Sequence, residues 1–217
     1  MGKLSGRTAL ITGASRGIGS AIAYRFAAEG ANLVINYTSD EFSANEVSKT
    51  IKKLGIKALI CKANVSIERE CEEMIKTAIE HFGQIDALIC NAGIGSASVN
   101  RPAIAEATNE QWASMLGVNL WGPIYLCRGL IPHLRKAARS DIVLLSSTAA
   151  QLLKPGSGVY STSKAALEAM AHTLAREEKA HGIRVNIVAP GLVDTDMGRK
   201  IVQAVGGPSN IRDLDGY

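Results

Sequence analysis

The segment Thr12-Gly13-Ala14-Ser15-Arg16-Gly17-Ile18-Gly19 decides how the chain is read. Before it runs a short β-prone stretch, Thr8–Thr12. After it Ile18, Ile22 and Phe26 recur at helical spacing. A strand therefore passes through a glycine turn into a helix. Gly13 permits a sharp exit, Gly17 lets backbone approach a pyrophosphate, and Gly19 allows close packing of helix on sheet. The amino terminus of such a helix offers unpaired N–H groups and a positive dipole end, which suit phosphate.

Outward from this turn, β-branched runs alternate with helical periodicity. Runs at Asn32–Tyr37, Ala58–Val65, Ile85–Cys90, Asp141–Ser146 and Arg184–Ala189 read as five more strands. After the second run Val47, Ile51 and Leu54 keep a helical rhythm; after the third, Cys71, Ile75, Ala78, Ile79 and Phe82 do so. Strands apolar on both faces need helices on both sides. Right-handed crossovers then give a parallel, doubly wound α/β sheet of about six strands, the Rossmann architecture. No linker, repeat or low-complexity tract interrupts it, so residues 1–217 read as one domain.

Composition agrees. An apolar fraction of 47% supports a substantial core, and 20% charged residues are ordinary for a globular chain. Lys+Arg 24 against Asp+Glu 20 leaves +4, too mild and too evenly spread to mark a nucleic-acid surface. No run reaches the roughly 18 apolar residues of a membrane span. Cys61, Cys71, Cys90 and Cys127 lack metal or redox spacing, and His81, His133, His172 and His181 do not pair as ligands. The expectation is buried reduced thiols, no metal, no membrane and a cytoplasmic location.

The second strand speaks to the ligand's adenosine end. NAD-selective sites place an acid there for the ribose 2′-hydroxyl. Here the strand ends in Asn36 and Tyr37, while Arg16 in the turn can fork onto a 2′-phosphate. Asp40 reads as the cap of the next helix. NADP(H) is therefore expected over NAD(H).

Further motifs follow in order. Asn91-Ala92-Gly93 follows the fourth strand, Asn119 opens Asn-Leu-Trp-Gly, and Ser147 precedes Tyr160 by thirteen residues. Tyr160 and Lys164 form Tyr-x-x-x-Lys, and Pro190-Gly191 with Thr195 follow the sixth strand. With the Gly-x-x-x-Gly-x-Gly spacing, the chain resembles the short-chain dehydrogenase/reductase family over residues 4 to about 198, in the style of 3-oxoacyl thioester reductases.

Tyr160 and Lys164, at i and i+4, share a helix face. A phenol with its usual pKa near 10 is a poor acid–base group at neutrality. A nearby ammonium, with a cationic nicotinamide ring, would favour phenolate. Tyr160 is therefore expected to exchange a proton with a carbonyl or alcohol oxygen. The resemblance implies that Ser147 bonds the substrate oxygen, that Lys164 also holds the nicotinamide ribose, and that Asn119 anchors a water. It places Asn91 and Gly93 along the ribose and phosphate path, Ile18 near the pyrophosphate, and Thr195 near the carboxamide or pyrophosphate. Asn64 stands where many relatives have Asp, its oxygen accepting from adenine. Ser15, Tyr37, Val65, Ala92, Pro190, Gly191 and Val193 complete the implied cofactor lining.

The carboxyl end departs from the family pattern. Gly198–Tyr217 offers a short helix through Ile201, Val202 and Val205, then a polar run, with no seventh strand. The reading expects an incomplete substrate lid over 198–217, a fragment or truncated product, and an unprotected sixth-strand edge. The resemblance implies a homodimer through the helices containing Asn119 and Tyr160, and leaves a tetramer contact in doubt. A non-catalytic NADP(H) sensor or scaffold on the same frame is the alternative function.

Overall fold

The computed structural model describes residues 2–204 and 206. Strands β1 (Thr8–Ile11), β2 (Asn32–Tyr37), β3 (Ala58–Lys62), β4 (Ala87–Cys90), β5 (Ser140–Leu145) and β6 (Ile183–Val188) form one sheet in the order β3-β2-β1-β4-β5-β6. Every pairing is parallel. The order reverses between β1 and β4, which opens a crevice at the carboxyl ends of those strands, where ligands of such sheets bind.

Alternate strand residues serve opposite faces. Ala9, Ile11, Leu33 and Ile35 pack against α1 (Gly17–Ala28) and α2 (Glu41–Lys52) through Ala23, Ala27, Ala44, Val47 and Ile51. Leu10, Val34, Leu88, Ile142 and Leu144 face α3 (Glu68–Phe82), α5 (Gly122–Leu134) and α7 (Gly158–Glu177) through Ile75, Leu126, Leu130 and Leu167. The double winding expected from the sequence is present. Asp40 caps α2 as expected, accepting from Ser43 N at 3.0 Å.

Helix α4 (Asn109–Leu116) begins with a capping box between Thr108 and Gln111 and runs through a π-helical turn, Gly117–Trp121, into α5. The short α6 (Ala149–Leu152) leads to α7. Helix α8 spans Asp196–Ala204, starting earlier than the sequence suggested; the expectation for Val205 and 207–217 lies outside the described residues.

Among the described residues the outer edge of β6 has no partner strand. Its residues Arg184, Asn186 and Val188 are exposed. On that face Ala9, Ala87, Ile89 and Val143 floor a cavity of about 200 Å³, rimmed by Arg7, Arg139, Asp141 and Arg184. It lies at the amino ends of the strands, away from the crevice.

Candidate active site

The glycine turn is built by backbone geometry. Gly13 sits at φ +60°, and a Cβ there would meet Ala92 Cα at 3.0 Å. At Gly19 a Cβ would lie 2.3 Å from Gly13 O, so the helix could not enter the turn with any side chain at that position. A Cβ at Gly17 would approach Thr195 Cγ2 at 3.4 Å; glycine keeps that path open between the turn and the segment after β6. The first turn of α1 carries no side-chain cap, leaving its N–H groups directed at this space. A cradle of small residues and free N–H donors fits a dinucleotide pyrophosphate.

Thr12, which sequence reasoning passed over, locks the turn to its neighbour. Its Oγ1 accepts from Asn91 N and Ala92 N, both at 3.0 Å, and Asn91 Nδ2 donates to Thr12 O at 2.8 Å. Its place directly before Gly13 was the only available signal.

At the adenosine end two expectations change. Asn36 is 1% exposed and turned inward, accepting from Gly13 N at 3.1 Å and donating to Ala63 O at 3.0 Å. Its amide holds the turn to β2 and the exit of β3 instead of facing a ribose. A buried amide must satisfy its own donors, and here main chain does so. The Asn64 oxygen is likewise engaged, by Ser66 N at 3.1 Å and Ser66 Oγ at 2.8 Å, leaving it no free lone pair for adenine. Tyr37 is buried, which raises its phenol, while Val65 packs in the core. Arg16 does reach outward: its side chain is 62% exposed and pairs with Asp40 at 3.4 Å.

Beyond the sheet's carboxyl edge, α7 brings Tyr160 beside the end of β5. The Ser147 hydroxyl faces the Tyr160 phenol closely enough to draw its pKa downward, while also accepting from Ala149 N at 3.2 Å. Lys164 Nζ lies 5.9 Å from the Tyr160 ring centroid and donates to Leu145 O at 2.7 Å. Burial of its ammonium pulls the Lys164 pKa down to about 8. Burial also raises the Tyr160 phenol above its usual value, with the nearby Ser147 side chain pulling the other way. Within the chain alone burial sets the direction; the expected lowering counts on a bound cationic nicotinamide ring as well as the ammonium.

Asn119 lies in the π-helical turn, wholly buried. Its Oδ1 accepts from Ile94 N at 2.9 Å, and its Nδ2 donates to Ile94 O at 3.0 Å and Ser163 Oγ at 3.1 Å. The side-chain amide thus clamps the loop after β4 to α7. Gly93 fits beneath it: a Cβ would sit 3.3 Å from Asn119 Oδ1 and 3.6 Å from Lys164 Nζ. Across the crevice Pro190 O accepts from Thr148 N at 3.1 Å, Gly191 faces open space, Val193 is 40% exposed, and Thr195 Oγ1 caps α8 through Gly198 N at 3.1 Å.

A model described as short chain dehydrogenase matches residues 7–206. The chain belongs to the short-chain dehydrogenase family. A glucose 1-dehydrogenase of Bacillus subtilis is 37% identical over 194 residues, covering 89% of this chain and 74% of that one. A 3-oxoacyl-[acyl-carrier-protein] reductase of a Synechocystis strain is 36% identical, covering 91% and 78%. Among solved structures, a short chain dehydrogenase from Burkholderia cenocepacia in complex with NADP superposes with TM-score 0.84 at 36% identity, covering 90% and 78%. This short-chain dehydrogenase is thus an oxidoreductase by family, on the six-stranded parallel sheet that the sequence predicted. No helix among the described residues is long and apolar enough to cross a membrane.

Proposed function

We propose that residues 1–217 form a single-domain NADP(H)-dependent reductase or dehydrogenase, acting on a ketone, sugar or 3-oxoacyl thioester. The observation that carries this is the meeting of Tyr160, Ser147 and Lys164 at the end of β5, across the crevice from the glycine turn. Relatives solved with NADP, NADPH and NADH support a nicotinamide cofactor. Arg16, exposed at the adenosine end with no acid at the end of β2, favours the phosphorylated form.

When bound, the nicotinamide supplies the hydride. The protein's share is position and charge. Ser147 holds the carbonyl oxygen, and Tyr160 donates its proton as that oxygen gains negative charge. Lys164 remains mostly ammonium at neutrality, with its pKa about 8, and favours the phenolate left behind. The same groups run the alcohol oxidation backward. The raised phenol is protonated at neutrality, the form that donation needs, and the Lys164 charge together with a bound cationic ring would draw its value back toward the working pH.

A homodimer through the helices of Asn119 and Tyr160 accompanies this reading. Trp121, 48% exposed and stacked on Tyr125 at 6.1 Å, offers an apolar anchor on that face. The deciding experiment incubates the protein with NADPH and a panel of ketones, sugars and 3-oxoacyl thioesters, following the nicotinamide absorbance. Turnover on one class supports the enzyme. Tight NADPH binding with no turnover on any would instead support a sensor.

A further inference from the structure

We infer that Glu168 is a positioning residue for the site, acting through Ser146; the inference rests on the reading of Tyr160 and Lys164 as the working pair. Tyr160, Lys164 and Glu168 stand at i, i+4 and i+8 on α7, so one stripe of the helix carries all three. Glu168 Oε1 accepts from Ser146 Oγ at 2.5 Å, a short charge-assisted bond. Ser146 is 5% exposed, and its N–H donates to Val188 O at 2.7 Å, fixing it to β6 as well.

What gives this bond leverage is its place in the chain. The residue before Ser146 is Leu145, whose carbonyl takes the Lys164 proton at 2.7 Å. The residue after it is Ser147, whose hydroxyl lies near enough to Tyr160 to draw the phenol's pKa down. Neighbouring residues of an extended strand are about 3.3 Å apart, so a slip at Ser146 passes directly to both contacts. Helix α7 thus grips the strand end at its third position and presents the catalytic groups from the first two. A misplacement of about 1 Å in such a site costs up to about 100-fold in rate.

The test reads the Tyr160 phenol itself, by tyrosinate absorbance against pH, with Tyr160→Phe identifying its signal. The titratable groups around it are Lys164 on the same helix and, beyond Lys164, Cys90 at the end of β4. Ser146→Ala and Glu168→Ala should raise the phenol's titration by about half a pH unit or more as Ser147 and the Leu145 carbonyl that holds Lys164 shift from their places beside Tyr160. Glu168→Gln, which keeps an acceptor, should stay near wild type. Glu168→Asp, one methylene short, keeps the charge and most of the volume, and should shift the same way even if the alanine variants fail to fold. Folded Ser146→Ala, Glu168→Ala and Glu168→Asp proteins titrating as wild type would overturn the proposal. If instead Tyr160→Phe retained full turnover, the catalytic reading would fall while the titration still judged the Ser146–Glu168 link.

Discussion

Lys164 Nζ sits 2.7 Å from the carbonyl oxygen of Leu145 and 5.9 Å from the centre of the Tyr160 ring. One buried ammonium thus ties the end of β5 to the phenol's side of the helix. The cost of burying it shows in its pKa of about 8.

That cost gives a pH prediction. The folded value lies below the unfolded one, so between pH 8 and about 10.4 the unfolded chain holds a proton that the folded chain has released. Stability contributed at this site therefore rises with pH across that window, by on the order of 2–3 kcal/mol, and the penalty is fully present below pH 8. Buried Cys61 and Cys71, with thiols pushed up to about 11 and about 12, act in the opposite sense above pH 9. The comparison is therefore with Lys164→Met: denaturant unfolding at pH 7 and pH 9.5 should show wild type gaining on the variant. An unchanged difference would contradict it.

Asn36 gives a second. Placing an acid at the end of β2 is the obvious way to seek NAD preference, but here the side chain is buried and donates to main chain. Asn36→Asp loses those donors and puts a carboxylate beside carbonyl oxygens. It should cost about 2–3 kcal/mol in denaturant unfolding without producing NAD selectivity. A stable variant with a switched preference would refute the inward placement.

Arg16 should carry cofactor choice instead. Its guanidinium is exposed, held among the described residues by the 3.4 Å contact to Asp40. Arg16→Ala should raise KM for NADPH about 10-fold or more, leaving KM for NADH nearly unchanged, in steady-state kinetics with both cofactors. Equal effects on the two would place the 2′-phosphate elsewhere.

Away from the site, Arg135 grips Glu178 with two bonds, at 2.9 and 2.6 Å, and Glu178 is 4% exposed. The Arg135 hydrogen bonds hold its carboxyl below the usual carboxylate range. The pair's contribution is present above the unfolded pKa near 4.3 and is lost as pH falls through the lower folded value. Arg135→Ala leaves the Glu178 carboxylate without its guanidinium partner and should destabilise the fold at pH 7. The deficit should shrink below pH 4, as thermal melts across pH would show.

The alternation of strand and helix was legible because each strand carries apolar residues toward both helix layers, as Leu10 and Ile11 do on neighbouring positions. Tyr160, Lys164 and Ser147 were legible because their spacing survives in one dimension. Side-chain direction was not. Asn36, Asn64 and Asn119 each occupy the expected position, yet their amides are consumed by nearby main chain or by Ser66 and Ser163. Whether an amide turns inward depends on which backbone groups lack partners, and only packing decides that. The Ser146–Glu168 bond joins residues 22 apart, with no motif to announce it.

The most direct trial of the whole account replaces Tyr160 by Phe and measures NADPH binding and carbonyl reduction on the same folded sample. Dinucleotide affinity should be unchanged and kcat lower by about 10²–10⁴-fold. Turnover within about threefold of wild type would contradict it.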